Sequence, residues 1–121
     1  KSYAVEYLDL HYIKFTYNQN CDLQNKNMSG AERRSIFLTI KECLHNVVKH
    51  SEASEVNMEW SCTDTHQIIT VTDNGKGIQN SQINKYGNGV RNMQKRMKQL
   101  GGEVVISNTH DQKTRVTISF N

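Results

Sequence analysis

The order of apolar periodicities along the chain constrains the fold more than any other feature of the sequence. Stretches with helical spacing of apolar residues are interspersed with short segments that have the alternation or β-branched content of strands. The resulting order is helix, strand, helix, strand, strand, helix, strand, strand. Because this is not the strict alternation of a doubly wound sheet, we predict an α+β fold. It is a two-layer α/β sandwich, with a mixed, mostly antiparallel sheet and helices packed on one face.

The second helix has the clearest start and the clearest apolar stripe. Ser29 is the predicted N-cap, and Glu32 three residues later completes a capping box. The helix then runs to about His50. Its apolar side chains form a single stripe: Ile36, Phe37, Ile40, Cys43, Leu44, Val47 and Val48.

The remaining elements are bounded by turns rather than by proline, which the chain lacks. Helices are predicted at residues 2–11 and 89–100, and strands at residues 13–17, 53–61, 67–72, 103–108 and 114–120. Residues 18–27 are predicted to be a loop. Gly101 and Gly102 suit a left-handed C-terminal cap for the last helix.

Size and composition favour one folded domain spanning residues 1–121. The chain has 121 residues, of which 36% are apolar and clustered in periodic segments, which argues against disorder. Fifteen basic and twelve acidic residues give a net charge of +3. The basic residues are scattered without interleaved aromatics, so no nucleic-acid partner is expected. The three cysteines match no zinc or redox spacing, and free thiols in a cytosolic protein are expected.

The start of the chain indicates a fragment of a longer protein. It begins with Lys1 rather than Met and has no signal-peptide pattern. No apolar run approaches the length that crosses a bilayer, which leaves open whether the parent protein is anchored in a membrane.

Four polar residues of the second helix share one arc at about 100° per residue: Glu42, Asn46, Lys49 and His50. They present a carboxylate, an amide and a cation opposite the apolar stripe. A magnesium nucleotide requires such groups, because the metal takes oxygen ligands and the phosphates take a cation. The alternative is an ordinary solvated helix face, although asparagine is a weak helix former in a helix interior.

Two glycine-containing segments are candidates for ligand-binding loops. Asp73, Gly75 and Gly77 follow directly on an apolar strand, where glycines let backbone approach a ligand closely. The carboxylate there can accept a hydrogen bond from an amine such as that of adenine. The alternative is a tight turn, because Asp-Asn-Gly is turn chemistry in its own right. Residues 87–89, Gly-Asn-Gly, open the last helix, whose N-terminal amides can bind an anion; a flexible loop is the alternative.

Together the three segments resemble the ATP-binding boxes of the GHKL ATPase superfamily. Residues 42–50 resemble the asparagine box, in the form Glu-x-x-x-Asn-x-x-Lys-His typical of sensor histidine kinases related to the nitrate and lipid-fluidity sensors. Residues 73–77 resemble the first glycine box, Asp-x-Gly-x-Gly, and residues 87–93 resemble the second. The short separation at residues 78–86 fits this kinase subfamily and argues against chaperone and topoisomerase relatives. The resemblance covers most of residues 29–120 and implies a Bergerat-type ATP-binding fold.

The resemblance implies a role for each polar residue of the asparagine box. Asn46 would ligate Mg²⁺, and Glu42 would orient or activate groups near the phosphates. Lys49 and His50 would contact phosphate. Glu42, Asn46 and Lys49 are therefore the expected catalytic residues.

The resemblance also implies that six residues of the glycine boxes surround the nucleotide: Asp73, Gly75, Gly77, Gly87, Asn88 and Gly89. The aspartate would accept a hydrogen bond from the adenine amine, and the next two glycines would let the purine approach. The last three residues would border the lid over the phosphates. Thr114 stands where the family often has a threonine near adenine, although Lys113 replaces the glycine that usually precedes it.

As a whole, the resemblance implies an ATP-dependent protein histidine kinase of two-component signalling. The chain would bind ATP and Mg²⁺ and donate the γ-phosphoryl group to a histidine on a separate dimerisation hairpin. That hairpin is expected upstream, because His11 is followed by Tyr12 rather than by an acidic residue. The fragment alone is therefore not expected to autophosphorylate.

The implied partners are this upstream hairpin and the receiver domain of a response regulator, within a homodimeric parent protein. The domain itself would be cytoplasmic, with the parent protein either anchored in the bacterial inner membrane or not. Two alternatives remain open. One is a nucleotide-binding regulatory module or a GHKL serine kinase; the other is a non-catalytic interaction domain whose boxes are coincidental turns.

Overall fold

Three α-helices and five strands follow one another in the predicted order within the part of the chain that the structure describes. The structure is a computed structural model that describes residues 2–20, 29–63, 65–75, 88–109 and 113–120. The helices are α1 (Ser2–Leu10), α2 (Gly30–Asn46) and α3 (Asn88–Lys98). The strands are β1 (Lys14–Gln19), β2 (Glu55–Cys62), β3 (Gln67–Asp73), β4 (Glu103–Asn108) and β5 (Thr114–Phe120). A π-helical segment, Val47–Ser51, continues α2.

The five strands form one mixed sheet in the order β1-β2-β3-β5-β4. β1 pairs with β2 in parallel, and the other three pairings are antiparallel. Register partners on the central strands are buried together, as Val71 is opposite Val116 and Ile69 opposite Ile118. Because side chains alternate across a strand, these residues define one buried face, and the exposed Arg115 lies on the other. The predicted mixed, mostly antiparallel sheet is confirmed.

The helices cover the buried face of the sheet and complete the predicted two-layer sandwich. Leu44 of α2 and both Met93 and Met97 of α3 are fully buried. The Sγ atom of Cys43 lies 3.4 Å from the Sδ atom of Met93, which joins the two helices. Burial of each such large apolar side chain contributes about 1.5–3 kcal/mol. None of the described helices combines the length and the apolar character of a membrane span.

Two local sequence signals form as predicted. At the start of α2 the Glu32 amide donates to Ser29 Oγ at 3.0 Å, and the Ser29 amide donates to Glu32 Oε1 at 3.2 Å. This is the reciprocal capping box. After α3, Gly101 has a φ of +75°, and the Gly102 amide donates to the Met97 carbonyl at 2.8 Å. The left-handed C-terminal cap is therefore confirmed.

The structure corrects three local predictions. Regular α-helix stops at Asn46 rather than at about His50, because the hydrogen-bonding pattern changes to the π type. β1 continues to Gln19, which pairs with Trp60, so residues 18 and 19 belong to the strand rather than to the predicted loop. Phe37 is 45% exposed and does not belong to the buried stripe of α2. The predicted loop at residues 21–27 lies outside the described residues.

The expectation of free thiols is wrong for one cysteine. Cys62, the last residue of β2, is disulfide-bonded. Cys43 is free and buried, and the prediction for Cys21 lies outside the described residues. Linear spacing did not anticipate the bond, because disulfide formation depends on distance in the folded chain.

Candidate functional site

The antiparallel pairing of β3 with β5 ends in two buried polar residues. Asp73 is the last residue of β3 and Thr114 is the first residue of β5, and the register places them opposite each other. Both are only 4% exposed. Aspartate is rarely buried so completely, and burial of a carboxylate or a hydroxyl carries a desolvation cost that must be offset.

The end of α2 brings a third buried polar residue to this place. Asn46 is 9% exposed and is the last residue before the π-helical segment. A cavity of about 20 Å³ lies between α2, the sheet and these polar side chains. Its lining comes from four elements and the π-helical segment: Cys43, Asn46, Val47, Asp73, Ile106, Thr114 and Val116. The structure therefore gathers three of the predicted site residues, Asn46, Asp73 and Thr114, around one cavity.

The hydroxyl of Thr114 is the unusual group in this cavity. Its Oγ1 atom is buried and has no hydrogen-bond partner among the residues that the structure describes. An unpartnered buried hydroxyl costs about 1–3 kcal/mol, which a hydrogen bond from a ligand would offset. The cavity therefore fits a polar ligand group better than an apolar one.

The carboxylate of Asp73 is oriented by the backbone of the loop that follows it. Its Oδ1 atom accepts a hydrogen bond of 2.9 Å from the Gly75 amide. Asn74 fixes the strand end, because its Oδ1 accepts from the amides of Ser54 and Glu55, each at 2.9 Å. The sequence identified Asn74 only as a turn residue, because its partners lie on another part of the chain. A carboxylate held in this way is preorganised to accept a hydrogen bond from a ligand.

The other polar residues of the asparagine box lie outside the lining of this cavity. Glu42 is partly buried one turn before Asn46, and Lys49 is exposed on the π-helical segment. His50 belongs to the same segment, and its side chain is not described. That all four residues share one arc stays a prediction, because the side chain of His50 is not described. The alternative interpretation was that these polar residues form an ordinary solvated helix face. That interpretation fits the exposed Lys49 but not the buried Asn46.

The glycine boxes are described only in part. Gly75 orients Asp73 through its amide, and Asn88 and Gly89 begin α3. The predictions for Gly77 and Gly87 lie outside the described residues. The sequence also missed that the apolar residues Val47 and Ile106 and the thiol of Cys43 line the cavity. Only the stripe of α2, which contains Cys43 and Val47, gave any signal for them.

The thiol of Cys43 is chemically inert in this position. Burial, with a smaller contribution from the nearby Glu42 charge, raises the pKa of Cys43 to about 12. The protonated thiol is a poor nucleophile and a poor metal ligand. No group of three or more His, Cys, Asp or Glu side chains is placed to hold a metal among the described residues. Nucleotide-bound Mg²⁺ does not require such a group, because it takes one or two protein oxygens with phosphate and water.

Comparison with known proteins identifies the family. Residues 31–121 match the family model described as "Histidine kinase-, DNA gyrase B-, and HSP90-like ATPase". The chain belongs to this ATPase family. The matched residues include the asparagine box and both glycine boxes, so the resemblance to the GHKL ATP-binding domain of a sensor histidine kinase is confirmed. The interpretation of the boxes as coincidental turns is wrong, and ATP is the ligand of the family.

Among the relatives of this ATPase domain are named bacterial signalling kinases. The chain is 34% identical over 93 residues to the signal transduction histidine-protein kinase/phosphatase UhpB of Salmonella typhimurium, covering 77% of the chain and 18% of UhpB. It is 26% identical over 118 residues to the sensor histidine kinase LiaS of Bacillus subtilis, covering 98% of the chain and 33% of LiaS. The chain thus spans a third or less of either relative.

Solved structures agree on the fold of the ATPase domain. The Acinetobacter baumannii histidine kinase AdeS superposes with a TM-score of 0.77 at 19% identity, over 99% of the chain and 61% of AdeS. The ATP-binding domain of PrrB from Mycobacterium tuberculosis superposes with a TM-score of 0.73 at 16% identity, over 98% of the chain and 88% of that domain. The predicted α+β sandwich of the Bergerat type is confirmed at the level of the fold.

Proposed function

We propose that this ATPase-family chain is the catalytic domain of a sensor histidine kinase. In this proposal it binds Mg²⁺ and ATP and donates the γ-phosphoryl group to a histidine on a separate dimerisation hairpin. The observation that carries the proposal is the buried pair of Asp73 and Thr114, with its unpartnered hydroxyl, beside Asn46. In a family of ATPases, such a polar pocket in an otherwise apolar core is best explained by the adenine end of the nucleotide.

The adenine end of the proposed site uses the two residues at the strand ends. The carboxylate of Asp73 accepts a hydrogen bond from the exocyclic amine, and the hydroxyl of Thr114 bonds to a neighbouring polar atom of the base. The cavity of about 20 Å³ accommodates a polar group rather than a whole purine. The base would therefore enter with its amine edge first, and Gly75 and Gly77 would leave room for the ring.

The phosphate end of the proposed site uses groups with complementary charge. Asn46 offers an amide oxygen to Mg²⁺, which when bound would neutralise negative charge on the phosphate oxygens. Glu42, partly buried one turn away, would orient groups near the phosphates. The remaining residues would contact the phosphates through cationic side chains or the amides of a helix N-terminus: Lys49, His50, Gly87, Asn88 and Gly89. Catalysis then rests on positioning and on stabilisation of charge.

The rest of the proposed system lies outside this chain. Residues 1–121 would form one catalytic domain, acting on a phosphoacceptor hairpin elsewhere in a homodimeric parent protein. The names of the relatives, and the third or less of their length that the chain spans, support a parent protein with further segments. A response regulator receiver domain would take the phosphoryl group from the histidine. We place the domain in the cytoplasm, where ATP is available.

Two measurements test the proposal. Calorimetric titration of ATP with Mg²⁺ into the chain is expected to show saturable binding at one site. When the hairpin of the parent protein is added together with labelled ATP, the label is expected on the hairpin and not on the chain. Glu42→Gln is expected to lower the rate of labelling by a larger factor than it lowers the affinity for ATP. Binding without any labelling of the hairpin would contradict the kinase proposal, and the absence of binding would contradict the nucleotide site itself.

A further inference from the structure

A second and larger cavity lies on a different side of α2. Its volume is about 170 Å³, and it is a half-open pocket between α1, α2 and the β1–β2 side of the sheet. Among the residues that the structure describes, none lines both this cavity and the one beside Asp73. An engineered apolar cavity of about 150 Å³ is large enough to bind benzene, so this cavity has room for an aromatic ring.

Helix α2 contributes two parallel rows of side chains to this second cavity. Residues four apart lie along one line of a helix. The inner row is aliphatic and mostly buried: Ile36, Ile40 and Leu44. The outer row places an aromatic ring between two cations: Arg33, Phe37 and Lys41. The wall of the cavity is thus apolar, and its rim on α2 is positively charged.

Aromatic rings from three other elements complete the wall. Tyr3 of α1, Tyr17 of β1 and Trp60 of β2 all line the cavity. Their polar atoms are engaged within the protein, since the Tyr3 hydroxyl lies 3.2 Å from His45 Nε2 and the Tyr17 hydroxyl donates to Gln19 at 2.8 Å. The indole N–H of Trp60 likewise donates to a side chain of β3, at 3.1 Å. The rings therefore offer apolar surface rather than free hydrogen-bonding groups.

Within the described part of the chain, the positive charge at the rim of the second cavity has no acidic counterpart in the lining. Arg33 and Lys41 line it, and no acidic residue does so among the described residues. Arg33 is exposed, and the Lys41 ammonium lies 5.5 Å from the centre of the Tyr3 ring. Neither cation forms an ion pair within the described part of the chain. A molecule with an apolar ring and one negative charge would match both the wall and the rim.

We propose that this second cavity binds a small aromatic carboxylate. The ring would lie among the aromatic side chains, where ring pairs contribute about 0.5–1.5 kcal/mol beyond burial of their area. The carboxylate would remain at the rim and accept charge-assisted hydrogen bonds from Arg33 and Lys41. This binding site is separate from the proposed nucleotide site and requires none of its residues. It also accounts for the 45% exposure of Phe37, which lies in the outer row between the two cations.

The single tryptophan of the chain makes the proposal directly measurable. Trp60 is the only tryptophan and lines the cavity, so its fluorescence reports on occupancy. Phenylacetate, phenylacetamide and phenethylamine present the same ring with negative, neutral and positive groups. Titrated into the chain, phenylacetate is expected to give a saturable change, with phenylacetamide about fivefold weaker because it lacks the charge. Phenethylamine is expected to be weaker still, and saturating ATP should leave the phenylacetate affinity unchanged.

Matched variants separate the rim from general surface charge. Arg33→Gln and Lys41→Gln are each expected to weaken phenylacetate about two- to fivefold. Arg34→Gln is the control, because Arg34 is an exposed neighbour that does not line the cavity. Thermal unfolding would confirm that all three variants are folded. No saturable response to phenylacetate, equal affinity for the three ligands, competition by ATP, or equal weakening by Arg34→Gln would each overturn the proposal.

Discussion

The two ends of β3 each carry a buried polar side chain, and they differ in the polar group that lies beside it. At the first residue, Gln67 is 2% exposed, and its Oε1 atom accepts a hydrogen bond of 3.1 Å from the indole of Trp60. At the last residue, Asp73 is 4% exposed and lies opposite Thr114, whose hydroxyl has no partner among the described residues. Burial of a polar group is therefore not in itself the mark of a site.

The difference separates a structural polar contact from a proposed functional one. At the Gln67 end, the hydrogen bond joins two side chains of the same protein, Trp60 and Gln67. The Oε1 acceptor is therefore already used within the protein. The Asp73 end retains a buried hydroxyl at a cost of about 1–3 kcal/mol in the absence of ligand. Proteins tolerate such local costs mainly where function requires them. Four substitutions test whether the two strand ends differ in this way.

The largest effect is expected at the functional end, for Asp73→Asn. The change removes the carboxylate charge but preserves the shape of the side chain. A hydrogen bond to a charged group contributes about 1.5–3 kcal/mol, so the affinity for ATP should fall about 10- to 100-fold. Calorimetric titration measures this loss. Unchanged ATP affinity in a folded Asp73→Asn variant would remove the distinction between the two strand ends.

At the structural end, Gly102→Ala is expected to lower stability and leave nucleotide binding intact. A β-carbon at Gly102 would overlap the Ser119 carbonyl oxygen and approach Phe120, which is the register partner of Gln67. Overpacking of this kind costs about 1–3 kcal/mol in the free energy of unfolding. Urea denaturation measures the loss. Gly30→Ala is the control, because a β-carbon there meets no atom within 4 Å; equal destabilisation by both changes would contradict the packing argument.

Gln67→Leu should destabilise the chain without changing its affinity for ATP. The leucine fills a similar volume but leaves the indole N–H of Trp60 without its acceptor. An unsatisfied donor that remains partly buried costs about 1–2 kcal/mol. Urea denaturation and calorimetry on the same preparation measure the two quantities. A loss of ATP affinity as large as that of Asp73→Asn would show that this end also serves the nucleotide.

The smallest effect is expected for Thr114→Val, which should stabilise the nucleotide-free chain rather than destabilise it. Thr114→Val replaces the unpartnered hydroxyl by a methyl group of similar size, so the free energy of unfolding should rise by up to about 1 kcal/mol in the absence of nucleotide. The affinity for ATP should fall about threefold or more, because the ligand loses one hydrogen bond. Destabilisation of the nucleotide-free chain by this change would indicate that the hydroxyl has a structural partner.

The sequence predicted best what is decided locally. The capping box of Ser29 and Glu32, the left-handed cap at Gly101 and the strands at residues 103–108 and 114–120 all match the structure. Each depends on a few neighbouring residues or on a regular alternation. Residue chemistry singled out Asn46 and Asp73 as candidates, and the family resemblance added Thr114 and the role of each residue.

What the sequence missed depends on tertiary structure. No local pattern signalled the change to π-type hydrogen bonding after Asn46 or the burial of Asn46 itself. The helical spacing likewise did not signal the exposure of Phe37. Asp73 and Thr114 lie opposite each other because of the register between β3 and β5, which are distant in the sequence. The roles of the site residues, including Gly77 and Gly87, stay predictions.

The proposed nucleotide site depends above all on recognition of the adenine amine by the Asp73 carboxylate at the end of β3. The most direct measurement is a cycle of four calorimetric titrations, with ATP and ITP as ligands and the unchanged chain and Asp73→Asn as proteins. ITP carries a carbonyl oxygen in place of the amine. We expect the unchanged chain to bind ATP at least about tenfold more tightly than ITP, and Asp73→Asn to lose or reverse this preference. Equal discrimination by both proteins would contradict the claim.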